Sequence, residues 1–251
     1  MDQSYTAPAE SLNRGYLNRN QIKYIVIIAM PIDHLAWGFV DAVNLPLGSW
    51  MHLIGRLTGP TMAYFVGEGY SYTKDVGKYQ KRLALFALIS WPAFVYFEFG
   101  SLFLPLKNGM RLLNPLQSVI YTLFLGLTAI RVWESPRMKK PVKIVCIILL
   151  CLLSCIGDWP VSDVLGCLFV HIYRNRPKAK WTAFTLTFLV FSALVIVFTS
   201  FRFSWYQLGV LLVPLMLTFL YNGQSGSKAK IHKWFFYLFY PGHLAALGLL
   251  K

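Results

Sequence analysis

The sequence predicts an all-α, polytopic membrane protein with about nine transmembrane helices and a cytoplasmic N-terminus. Three observations carry this expectation. First, 56% of the 251 residues are hydrophobic and only 14% are charged, whereas a soluble domain carries about 25% charged residues. Second, apolar runs approaching the ~20 residues of a bilayer crossing recur along the chain. Third, the cations gather in alternate loops. Such a composition excludes a soluble enzyme, a disordered chain and a secreted disulfide scaffold. Aromatic residues, at 16%, suit rings at two membrane interfaces.

The segments fall at roughly 22–42, 48–70, 82–104, 114–133, 142–157, 161–174, 181–200, 204–221 and 232–250. The first holds Asp33 and His34 behind Pro31, the second holds Arg56 ahead of Gly59-Pro60, and the ninth holds Pro241-Gly242-His243. The fifth and sixth are short, and Asp158-Trp159-Pro160 between them reads as a turn or a re-entrant break. Residues 1–20 are polar and no small-residue cleavage site follows the first apolar run. No signal peptide is therefore expected. That leaves 1–21 as a cytoplasmic segment and 22–250 as one transmembrane unit.

The charge is lopsided, with 24 Lys and Arg against 10 Asp and Glu, a net +14. On a soluble protein this would suggest nucleic acid. Here nineteen of the cations lie in the N-terminus and the second, fourth, sixth and eighth loops. The opposite face holds Lys107, Arg111, Arg202 and Lys251, and Arg56 lies inside a helix. This alternation places the N-terminus in the cytoplasm, and no nucleic-acid partner is expected. The cysteines Cys146, Cys151, Cys155 and Cys167 lie in apolar runs without metal-ligand spacing, so they read as packing thiols and no metal is expected.

Ionisable groups inside a membrane are costly and mark function. The candidates are Asp33, His34, Arg56, Glu68, Asp163, His171 and His243. At about 1.5 Å per helical residue, His34 lies ~16 Å past Lys23, Arg56 ~13 Å from the outer edge, and His243 ~15 Å past Lys233. All three reach mid-membrane beside a proline, which frees a carbonyl one turn back. A polar cavity at the bundle centre follows as the expectation. His34 can take a proton from an amine or hydroxyl nucleophile, or carry an acyl group transiently. Asp33, about 100° around the helix from His34, is expected to pair with a neighbouring helix, and Arg56 reads as a counter-ion for either Asp33 or Glu68. His171 reads as interfacial, and His52 and His232 as solvated. Glu68 is either a partner for a loop cation or part of a cytoplasmic mouth. Glu68, Asp158 and Asp163 are also the carboxylates available to an amine-bearing acceptor. Serine-hydrolase, zinc-protease and ATP-binding motifs are absent.

The chain resembles the TraX family of membrane proteins, associated with N-terminal acetylation of conjugative pilin. The resemblance rests on Ile22-Lys23 through Met30-Pro31-Ile32-Asp33-His34, then Gly55-Arg56, Phe65, Glu68-Gly69-Tyr70, Thr73, Tyr79, Arg82-Leu83 and the terminal Phe239-Tyr240-Pro241-Gly242-His243-Leu244. The family in turn is similar to transmembrane acyltransferases with a basic residue and a histidine separated by ten intervening residues on an early helix. Lys23 and His34 have that separation, with Lys, a point charge, where many relatives have Arg. The resemblance implies a bacterial inner-membrane enzyme using cytoplasmic acetyl-CoA, with a peptide or pilin-like amine as acceptor and a glycan hydroxyl or a small amine as the other options. Its candidate catalytic residues are His34, Asp33, Arg56 and His243, and its donor-binding residues Lys23, Lys78, Lys81 and Arg82. The competing expectations are a proton-coupled transporter and a non-catalytic envelope assembly factor.

Overall fold

A computed structural model describes residues 15–106 and 109–251. Arg14, Lys107 and most of the segment assigned to 1–21, with the expected absence of a signal peptide, lie outside the described residues. The described chain is mostly helical. Its helices long and apolar enough to cross a membrane are Arg19–Val40, Val76–Phe99 and Pro177–Thr199.

Helix α1 (Arg19–Leu35) starts at a reciprocal cap, in which the Asn18 side chain accepts from the Gln21 N–H at 3.1 Å and the Gln21 side chain accepts from the Asn18 N–H at 2.9 Å. Past Pro31 it widens into a π-helical turn, Ala36–Val40, and the Asp41 N–H donates back to the Ala36 carbonyl. Such π-turns are frequent at functional sites.

The expected second segment is not one helix. It divides into α2 (Leu45–Gly55) and α3 (Thr58–Tyr72), broken at Arg56-Leu57. Pro60 sits in the first turn of α3, where a missing N–H costs nothing. The third segment also ends earlier than 104. Helix α4 (Val76–Phe99) stops at Gly100, whose φ of +67° closes the helix in the left-handed region. Phe103–Pro105 and Arg111–Leu113 then pair as an antiparallel hairpin, β1 and β2.

The remaining helices are α5 (Val119–Glu134), α6 (Lys140–Leu153), α7 (Ser162–Ile172), α8 (Pro177–Thr199), a short α9 (Phe201–Ser204), α10 (Leu212–Leu220) and α11 (Lys230–Leu250). Residues Trp205–Leu211 between α9 and α10 wind as a tighter 3₁₀ helix.

Packing closes five helices into a ring: α1 against α3, α3 against α5, α5 against α4, α4 against α11, and α11 back against α1. Helix α7 backs this ring, lying on α3 and α5 and covered by α8. Small residues permit the close approach. A Cβ at Gly126 would lie 2.7 Å from the Cys167 sulfur, and one at Gly67 would collide with the Cys167 carbonyl. Gly67→Leu is therefore expected to lower stability by about 1–3 kcal/mol through overpacking. Thermal unfolding in detergent checks this, and an unchanged midpoint would place α7 elsewhere.

Candidate functional site

The ring encloses a cavity of about 370 Å³. One end is basic, lined by Arg19, Lys23, Arg82, Lys228 and Lys233; the walls are apolar, with Ile27, Met62 and Leu123 among them; Thr58 and Tyr240 also line it. Arg19 is already committed: its guanidinium donates to Glu68 at 2.7 Å, and Tyr221 donates to the same oxygen at 2.9 Å. Lys23 instead lies over the rings of Phe65 and Phe236, at 5.7 and 5.5 Å, with no carboxylate partner among the described residues. The buried Nε of Arg82 also lacks an acceptor. An orphaned donor and a cation without a counter-ion fit a polyanionic ligand at this end.

A second cavity, of about 270 Å³, is lined by Asp33, His34 and Trp37 from α1 and its π-turn, by Arg56, by Phe94, Glu98 and Phe99 from α4, and by segments 116–117 and 156–159. Met30 lines the first cavity and His34 the second, one helical turn or ~6 Å apart along α1. The floor of the second cavity is a strained turn in which Trp159 and Val161 hold φ of +57° and +60°, values that bulky residues adopt only when packing enforces them. Here the Trp159 ring lies under the Arg56 guanidinium at 5.1 Å and fills the space over Gly59, where a Cβ would come within 2.6 Å of the indole.

His34 and His243 meet between α1 and α11. His34 Nδ1 lies 2.8 Å from His243 Nε2, and His243 Nδ1 lies 2.9 Å from the Phe239 carbonyl. A carbonyl only accepts, so His243 carries its proton on Nδ1 and accepts on Nε2. His34 must then donate from Nδ1. The chain of bonds fixes one tautomer and leaves a lone pair on His34 Nε2, which has no protein partner among the described residues. Pro241, inside α11, cannot donate to the turn preceding it, and the Phe239 carbonyl is the one that receives His243.

Asp33 pairs with a neighbouring segment, as its helical position suggested. One oxygen lies 3.0 Å from the Arg56 guanidinium, the other 2.6 Å from His52 Nδ1. Gly55 makes room for it, since a Cβ there would strike the Asp33 side chain. His52 is not solvated but 1% exposed, and its Nε2 lies 3.0 Å from Asp41. Arg56 also donates to Gln207 at 3.4 Å, while its buried Nε has no acceptor.

The structure brings His34, Asp33, Arg56 and Asp158 to one cavity, with His243 bonded behind His34. Lys23 and Arg82 line the other. The remaining candidates lie apart. Lys78 is exposed and pairs with Asp75 at 3.2 Å, and Lys81 is also exposed, so neither lines the basic cavity. Glu68 sits at the basic end, bound to Arg19 and Tyr221, and does not line the second cavity. Asp163 is fully buried, accepting from Thr122 at 2.7 Å, and lines neither of the two cavities. His171 is buried too, bound to Glu134 at 2.8 Å. Glu98 and Asp41 are site residues that the sequence reading does not single out, and His52, read there as solvated, is a third. The rule that flagged Asp33 applies equally to Glu98 inside the third segment. Among the described residues no group of His, Cys, Asp and Glu could hold a metal ion.

The model of the TraX family, described as TraX protein, matches residues 18–251. The chain is also 32% identical over 246 residues to the "Probable fimbrial assembly protein FimC, serogroup H1" of Dichelobacter nodosus, covering 92% of this chain and 94% of that protein. No solved structure matches the chain.

Proposed function

The chain belongs to the TraX family, and on that premise we propose that it is an integral-membrane acetyltransferase. It moves an acetyl group from cytoplasmic acetyl-CoA to the N-terminal amine of a pilin-like peptide at the outer face of the bacterial inner membrane. In this reading the bilayer is crossed nine times with the N-terminus inside, and the basic cavity opens to the cytoplasm.

One observation carries the proposal: a histidine with a fixed tautomer and an open Nε2 stands where a basic, apolar-walled cavity and an acid-lined one come within a turn of each other. Lys23 and Arg82 would hold phosphates, the apolar walls a pantetheine arm, and the far end the thioester. Glu98 and Asp158, walled by Trp37, Phe94 and Trp159, suit an ammonium group. His34 Nε2 takes a proton from the attacking nitrogen as it bonds to the acetyl carbon. The spare Nε–H of Arg56 can donate to the oxygen that gains charge. His34 then returns the proton to the departing sulfur.

Calorimetric titration of the purified protein with acetyl-CoA and with free CoA tests the donor. Both are expected to bind, and Lys23→Gln or Arg82→Gln to weaken each about tenfold, the loss of one charge-assisted contact. The likeness to a probable fimbrial assembly protein of Dichelobacter nodosus favours a second reading, a non-catalytic role in pilus assembly. Heat from neither ligand would support that role and remove the enzymatic one.

A further inference from the structure

A chain of three side chains leads out of the second cavity and takes no part in the steps above. It begins at Asp33, which lines that cavity. It passes through His52, 2.6 Å away, and ends at Asp41, 3.0 Å beyond. His52 is sealed, with 2% of its side chain exposed, whereas Asp41 is 23% exposed in the turn after the π-helix. The π-turn supplies the reach, because the Asp41 N–H bonds back to Ala36 and so curls the chain over α2. Gly48 supplies the room, since any Cβ there would strike the Asp41 carboxylate. The other Asp41 oxygen is buried without a partner. Trp37 and Tyr206 pack on the His52 ring at 4.3 and 4.7 Å, and the ionisable groups beside the chain are Arg56, His34, Tyr206, Asp158 and Glu98.

From this geometry we infer that Asp33, His52 and Asp41 form a proton relay that strips the acceptor's ammonium group and releases the proton away from the donor cavity. The inference rests on the acetyltransferase reading. An amine with a pKa of about 8 is mostly charged at neutral pH and carries no lone pair. Two protons must therefore leave the nitrogen. The first passes from the ammonium to Asp33. It enters His52 at Nδ1 while the proton on Nε2 leaves to Asp41 and then to water, and rotation of the ring resets the relay. The freed lone pair forms the nitrogen–carbon bond, the carbon–sulfur bond breaks, and the second proton passes through His34 to the thiolate. The sum is ammonium plus thioester giving amide, thiol and one proton.

His52→Gln and Asp41→Asn keep the side chains polar and similar in size but cannot relay. Acetyl transfer to a peptide amine is measured at pH values of about 6.5 and about 9, either side of the amine's own pKa. Each variant is expected to lose about tenfold or more at the lower pH and to recover to within about twofold at the higher, where the amine arrives neutral. Asp41→Glu, which retains a carboxylate, should stay near the wild type at both. An equal loss at both pH values, or no loss in either variant, overturns the relay while leaving acetyl transfer intact. A wild-type protein that acetylates nothing at either pH overturns the enzymatic reading itself. Should Asp41→Asn fail to fold, the His52→Gln profile decides between these results alone.

Discussion

His34→Ala is expected to reduce acetyl transfer by about 100- to 10,000-fold, the range for loss of a positioned general base. Its affinity for acetyl-CoA should stay within about twofold of the wild type, since His34 lines the second cavity and the cations Lys23 and Arg82 line the first. A fall in turnover with unchanged binding separates a chemical role from a packing one. The imidazole is tied at only one nitrogen, 2.8 Å from His243, so truncation removes a single internal hydrogen bond and little of the fold. Labelled acetyl-CoA and a product assay read the first quantity, and calorimetry the second. If both affinity and turnover collapse together, His34 supports the bundle rather than the reaction.

Arg56→Ala is expected to give the largest loss of stability among the site residues. Its guanidinium is 3.0 Å from Asp33, lies over Trp159 and Tyr206 at 5.1 and 5.6 Å, and has 11% of its side chain exposed. Removing one partner of a buried ion pair strands the other, at a cost of about 3–5 kcal/mol. The melting midpoint in detergent should fall by about 10 °C. Asp33→Asn in the same chain should restore part of it, because the stranded charge is then gone. An Arg56→Ala protein that melts with the wild type would mean that the pair contributes nothing to the folded state.

Much of this was legible in the sequence because a bilayer leaves few options for a polar group. Helical content, and the convergence of His34, Arg56 and His243, followed from apolar run length, proline position and depth. That Arg56 needs an anion was likewise readable, but the choice between Asp33 and Glu68 was not, since Arg19 on α1 claims Glu68 and leaves Asp33 to Arg56. The segment boundaries were less so. Apolar length could not reveal that Arg56-Leu57 breaks the second segment or that Gly100 ends the third ahead of a hairpin, because hydropathy does not distinguish a helix from an apolar strand.

Site residues misread from the sequence share one cause: a charge near a segment end was assigned to solvent or ligand without knowing its partner. His52 looked solvated near the start of its segment, yet the π-turn carries Asp41 back over it. Asp163 looked available at a helix start, yet Thr122 on α5 claims it. Lys78 and Lys81 fall on the outward side of α4, whereas Arg82 turns inward. In each case the deciding fact is a contact with a residue distant in sequence.

The most direct measurement is sided acetyl transfer in proteoliposomes. Labelled acetyl-CoA is supplied only to the face carrying Lys23 and Arg82, and an amine-terminated peptide only to the face carrying Glu98 and Asp158. The expected result is labelled peptide on the second face, CoA on the first, and neither with His34→Ala. Product that forms only when both substrates share a compartment, or transfer that persists without the imidazole, would contradict a histidine joining the two cavities.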